Sequence, residues 1–148
     1  MRSFKNEDAR KVVVTGLGSV SPVGNSVKEG WDNILAGISG ISKISRFDTS
    51  DFAVSIAGEV KNFSFRDSIS PKEGKHMDTF IHFGIIAGEE ALKDSGFTVT
   101  DINRERVGVI VGSGIGGLPM IENTHTVLSS KGPRRVSPFF VPGSIINM

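Results

Sequence analysis

Cysteine is missing from all 148 residues. Its absence removes disulfides, zinc–thiolate sites and thiol nucleophiles from this stretch of chain. Charge of one sign is missing too: 17 Lys and Arg face 16 Asp and Glu, for a formal net charge of +1. No large single-sign field follows, which argues against a dedicated nucleic-acid binder. No run reaches the roughly 18 apolar residues of a transmembrane helix. The N-terminus has Arg2 and Lys5, but Asn6, Glu7 and Asp8 follow in place of an apolar core, so it does not read as a secretory signal. The expected setting is cytoplasmic, with no nucleic-acid and no membrane partner. No Gly-Lys-Ser/Thr triplet and no G-x-S-x-G elbow occurs, which excludes the usual P-loop and the usual serine-nucleophile turn. His76, His82 and His125 lack metal-ligand spacing and read as packing or surface residues; Glu89-Glu90 reads as solvated. No metal and no cofactor is expected.

What is present is ordinary for a globular domain: 38% hydrophobic residues and 18 glycines. Residues 1–11 are polar and unpatterned, a loose tail. Val12-Val13-Val14-Thr15 is a β-branched run that suits a strand buried on both faces. Ser26 and Glu29 form a capping box, after which Val27, Trp31, Ile34 and Leu35 make a helical stripe that Gly37 stops. Residues 37–53 read as an excursion, and Val54, Ile56, Gly58 and Val60 as an alternating strand. Ser70-Pro71-Lys72-Glu73 opens a helix that breaks near Gly74 and resumes to about Ser95. Its apolar residues go round most of the circumference, so burial on more than one side is expected, with Gly84 and Gly88 as places of close backbone approach. Val107-Gly108-Val109-Ile110-Val111 is a third buried strand, and Met120, Ile121, Thr124, Val127 and Leu128 stripe a further helix that Gly132-Pro133 ends. The alternation of strand and helix predicts an α/β fold with parallel strands. From Pro142 the chain reads as another helix start followed by an apolar run without a stop, as in a piece of a longer chain.

Two features could carry chemistry. Gly112-x-Gly114-x-x-Gly117, between a strand and a helix, matches the dinucleotide pattern, in which backbone amides face a pyrophosphate. The acidic ribose ligand expected about 20 residues on is missing, because Glu122, inside the helix, is the last acidic residue. The second feature is a pair of basic groups: Lys72, Lys75 and His76, and Lys131, Arg134 and Arg135. Each reads either as solvated surface charge or as a docking patch for an acidic partner.

Longer motifs add a resemblance. Val12-Val13-Val14-Thr15-Gly16-Leu17-Gly18 with Ser21-Pro22-Val23-Gly24-Asn25, Leu35-Ala36-Gly37-x-Ser39-Gly40-Ile41, and Phe47-Asp48-Thr49-Ser50 come in order. Gly112-Ser113-Gly114-Ile115-Gly116-Gly117-Leu118 and Ser137-Pro138-Phe139-Phe140-Val141-Pro142 follow. Together they resemble the β-ketoacyl-acyl-carrier-protein synthases, and within them the synthase II branch. The resemblance runs through residues 12–148 and covers the N-terminal portion of the family's chain. It implies a thiolase-like fold, here an incomplete N-terminal half ending before the catalytic cysteine. It implies a decarboxylative Claisen condensation of acyl and malonyl thioesters in fatty-acid elongation, a homodimer, and acyl carrier protein as partner. The family's cysteine and two catalytic histidines would lie beyond Met148, so no catalytic residue is assigned and the 148 residues alone are expected to be inactive. A non-catalytic carrier-protein-binding module, or the relic of a shortened gene, is the alternative. By the same resemblance Ile115 matches a residue that walls the acyl pocket, and Phe140 one contributed to the pocket across the dimer. Lys72, Lys75, His76, Arg134 and Arg135 match basic positions of the carrier-protein docking face. The sequence departs from the pattern at Pro71, Gly74, His76 and Gly143.

Overall fold

The computed structural model describes residues 10–146. The expected tail at 1–11 therefore lies outside the described residues except for Arg10 and Lys11, and Asn147-Met148 of the C-terminal run lies outside them too.

The helices expected before Pro142 form, and side-chain caps mark the starts of the first three. Helix α1 spans Val27–Leu35; the Glu29 amide donates to Ser26 Oγ at 3.1 Å, and the Glu29 carboxylate accepts from the Asn25 amide at 2.7 Å. Gly37 at φ +70° ends it. The predicted break at Gly74 separates α2, Pro71–Gly74, from α3, Thr79–Ser95, which Gly96 closes in the left-handed conformation. Helix α4 spans Leu118–Lys131, and a 3-10 turn, Pro133–Arg135, follows it. A short helix α5, Phe140–Ser144, starts before Pro142 and releases the chain at Ile145, so the apolar run after it does not continue as helix. Among the described residues no helix is long and apolar enough to cross a membrane.

The strands depart from expectation. Among the described residues the sheet has two strands, β1 (Ile41–Lys43) and β2 (Ile56–Gly58). They are antiparallel, with Ile41 opposite Gly58 and Lys43 opposite Ile56. β1 lies inside what reads as an excursion. The runs at 12–15 and 107–111 join no sheet, with Val12 94% and Ile110 99% exposed. The parallel ladder expected from them is therefore not formed. A strand exists only through its neighbour's hydrogen bonds, and neither run finds one here. The runs keep the composition of strands covered on both faces, without the cover.

Surface area makes the same point. The structure exposes 12277 Å², whereas a compact chain of 15.8 kDa exposes roughly 7,300 Å². Among the described large apolar residues only Ile69 is buried. Even the α1 stripe faces outward, with Trp31 59% exposed. One packed region lies where residues 63–69 meet α2 and α3. There the Phe63 and Phe83 rings meet edge-on at 4.8 Å. Phe65 stacks on the buried His82 at 4.2 Å. His82 Nε2 is also hydrogen-bonded to the Gly74 carbonyl at 3.1 Å. His82 is thus a satisfied packing histidine.

Helix α3 also holds the loop after the first β-branched run. The Glu90 carboxylate accepts from the amides of Ser19 and Val27, both at 2.9 Å, and Asp94 accepts from Leu17 at 2.9 Å. Glu90 is therefore a structural ligand of backbone amides and not a solvated charge. Close backbone approach occurs from the other side of the contact than the sequence suggested. Gly84 and Gly88 have nothing within 4 Å of a built side-chain carbon, whereas methyl groups on Gly16 and Gly18 would overlap the carbonyl oxygens of Ala91 and Ala87.

Candidate functional site

One cleft is lined both by the chain that follows the first basic group and by Arg135 of the second. Pro71 at the first position of α2 and Ser70 Oγ, which accepts from the Glu73 amide at 3.2 Å, fix the turn that carries Lys72 and Lys75 on the surface. His76 follows, with its ring stacked on Phe139 at a centroid distance of 3.8 Å and 22°. The chain then runs into Met77, Asp78 and Thr79, which line one wall of a cleft of about 360 Å³. Met120 and Val127 of α4 lie in the same cleft, and Arg135 lines its rim. Arg134 and Arg135 are exposed on the 3-10 turn, which Gly132, at φ +80°, sets off from α4. Lys131 and Arg135 share an adjoining depression with Val127. Segments far apart in sequence thus line one cleft, with the Arg135 cation beside the apolar side chains of Met77, Met120 and Val127. The pattern suits an acidic partner that also presents an apolar side chain.

Asp78 organises the inner end of this cleft. It is 6% exposed. As N-cap of α3 it accepts from the Thr79 amide through Oδ1, and its Oδ2 accepts from the Met120 amide at 2.8 Å. Its own amide donates to the Gly143 carbonyl at 3.1 Å. The carboxylate joins α3 to the first turn of α4, and the Asp78 backbone amide adds α5. Sequence reasoning missed Asp78: an aspartate directly before a helical apolar pattern is the signal that could have found its cap role, whereas its bond to α4 has no local signal.

The residues matched to the acyl pocket lie on the far side of that joint. Ile115, between Gly114 and Gly116, is 70% exposed and outside the cleft. Phe140 opens α5, half-buried, its amide donating to the Ser137 carbonyl at 3.1 Å. The two elements meet at Ser144, whose carbonyl accepts from the Gly117 amide at 2.9 Å. Gly116 lies against the same carbonyl with φ +93°, a conformation that favours glycine.

The same geometry bears on the G-x-G-x-x-G reading. Gly112 and Gly114 stand clear of other atoms, while Gly117 is pressed against Asp78 Oδ2. The place at the start of α4 that a phosphate would take is held by the Asp78 carboxylate on the Met120 amide. Among the described residues no group of three or more His, Asp or Glu side chains is placed to hold a metal ion.

Comparison with known proteins gives this geometry its context. The family model described as "Beta-ketoacyl synthase, N-terminal domain" matches residues 9–148. The 3-oxoacyl-[acyl-carrier-protein] synthase 2 of Vibrio cholerae serotype O1 is 54% identical over 139 residues, 94% of this chain and 34% of that protein. Its namesake in Staphylococcus aureus is 50% identical over the same share. The chain thus spans about a third of the length of the curated relatives it matches. Among solved structures, the ishigamide ketosynthase/chain length factor superposes with a TM-score of 0.73 at 27% identity, over 92% of this chain and 34% of that one. A type II polyketide ketosynthase in complex with its acyl carrier protein superposes with a TM-score of 0.72 at 28% identity, over 90% and 36%. The fold is that part of the thiolase-like ketosynthase fold, and the chain belongs to the β-ketoacyl synthase family, whose N-terminal domain it carries.

Proposed function

We propose that these residues form the N-terminal part of a 3-oxoacyl-acyl-carrier-protein synthase of type 2, a condensing acyltransferase of fatty-acid elongation. The observation that carries this reading is 54% identity to such a synthase over 94% of the chain. In the complete enzyme a cysteine thiolate takes the acyl group from its carrier, releasing the carrier thiol. A malonyl thioester loses carbon dioxide, and the carbanion displaces the cysteine to give the 3-oxoacyl product. The 148 residues hold no thiol for that step. Their contribution is recognition. Lys72, Lys75, His76, Arg134 and Arg135 receive the acidic acyl carrier protein, acyl- or malonyl-loaded, and Ile115 and Phe140 help to wall the acyl pocket. The cleft rimmed by Arg135 supports the docking role. A cytoplasmic homodimer is the setting, and the exposed apolar surface supports burial against further protein.

Pull-down with acyl carrier protein tests this reading. The chain is expected to retain the carrier, and Arg134→Glu with Arg135→Glu to release it. Retention by the charge-reversed variant overturns the docking assignment. In a condensation assay the 148 residues alone are expected to give no product. Product from them would overturn the recognition-only role.

A further inference from the structure

We propose that Asp78 is a positioning residue that couples the docking segment Lys72–His76 to the loop bearing Ile115, so that a seated carrier protein sets the order of that loop. The proposal rests on the docking reading above and extends it from where the carrier binds to what binding does.

The connection is short and continuous. His76 ends the docking segment with its ring on Phe139, and its carbonyl lies where any side chain on Gly143 would have to go. Two residues on, the Asp78 amide donates to the Gly143 carbonyl at 3.1 Å, which fixes the end of the docking segment to α5. Through Oδ2 the same residue receives the Met120 amide at 2.8 Å, which fixes it to the first turn of α4. Gly117 fills the remaining space: a β-carbon there would stand 2.7 Å from Asp78 Oδ2 and 3.0 Å from the Ser144 α-carbon. Its amide is bound to the Ser144 carbonyl at 2.9 Å. Ile115 is two residues upstream.

Such a joint transmits displacement because it has no slack. A buried carboxylate that lost one of these amides would leave polar groups unpaired, and the glycine contacts leave no room to slide. The loop on the far side is built to respond. Gly112 and Gly114 touch nothing within 4 Å of a built side-chain carbon, and Ile115 is exposed. A rigid lever therefore ends in a loose segment. Movement of the docking segment is absorbed at Ile115, the residue matched to the wall of the acyl pocket.

The test is hydrogen–deuterium exchange of the purified full chain with and without apo acyl carrier protein, alongside calorimetric Kd. In the parent protein the carrier is expected to slow amide exchange across residues 112–121 by about threefold or more, with residues 41–58 as the unresponsive control. In Asp78→Asn, which keeps the volume but replaces one acceptor oxygen by a donor, the response at 112–121 is expected to disappear at saturating carrier, while residues 41–58 keep the parent's exchange. A merely structural Asp78 would raise exchange everywhere, residues 41–58 included, and that result overturns the proposal. So does a carrier that binds the parent without slowing 112–121, a result that needs no variant to fold. A carrier that does not bind at all overturns the docking reading, and the coupling with it.

Discussion

Two glycine-rich loops follow the two β-branched runs, and on paper they look alike. Gly16-Leu17-Gly18 comes after Val12–Thr15, and Gly112-Ser113-Gly114 after Val107–Val111. In the structure they have opposite characters. The first is gripped: its glycines press on the α3 backbone, and Glu90 and Asp94 take the amides of Ser19, Val27 and Leu17. The second is free until Gly116 and Gly117 reach Asp78 and Ser144. A Gly-x-Gly pattern announces permission for close approach or unusual dihedrals, but the approaching neighbour decides which permission is used. Here that neighbour lies about seventy residues away in sequence for the first loop (Ser19 to Glu90 spans 71).

The contrast can be broken by substitution. Gly18→Ala is expected to cost about 3 kcal/mol, since a methyl group meets the Ala87 carbonyl and neither backbone can yield cheaply. Urea unfolding of the purified chain reads this, and a cost equal to that of Gly114→Ala would erase the distinction between the loops. Glu90→Ala comes next at about 2 kcal/mol, because two part-buried amides lose their acceptor. Glu90→Gln should recover part of that, having one acceptor oxygen left. Gly114→Ala is expected to lie within about 0.5 kcal/mol of neutral, with open space around it and no left-handed φ.

The smallest effect sharpens the comparison by pH. Glu59 accepts from the Ser45 hydroxyl and from the amides of Ser45 and Arg46, and these bonds hold its carboxyl below the usual glutamate value. A depressed folded-state pKa contributes stability above the unfolded value and loses it as pH falls through the folded one. Glu59→Gln should therefore flatten the acid limb of stability slightly and leave neutral pH almost unchanged. An identical acid limb in both proteins would show that these bonds do not persist in solution.

What could be read from sequence follows the range of the interaction. The boundaries of α1, the break at Gly74, the Gly96 stop and the span of α4 were legible because caps and stripes are local. β1 was hidden because Ile41–Lys43 is short and flanked by turn formers. The fate of the runs at 12–15 and 107–111 was illegible for a different reason: composition says how a strand prefers to be covered, not what covers it. The basic residues could be picked out, yet the cleft that Arg135 lines depends on how Met77–Thr79 packs against α4. The departures at Gly74 and Gly143 make sense only in three dimensions. Side chains there would run into the Phe65 ring and the His76 carbonyl.

The uncovered run at Val107–Val111 has a consequence for life in a crowded solution. Five residues without charge, four of them Val or Ile, present peptide groups that join no sheet to any extended segment that arrives. Such a run pairs as readily with a copy of itself as with an intended neighbour. Whether molecules of this chain stay dispersed is then a race between capture of that run by its proper cover and collision with one another. Collisions between copies rise with the square of concentration. The dose at which the chain is made becomes as decisive for its fate as any bond inside it.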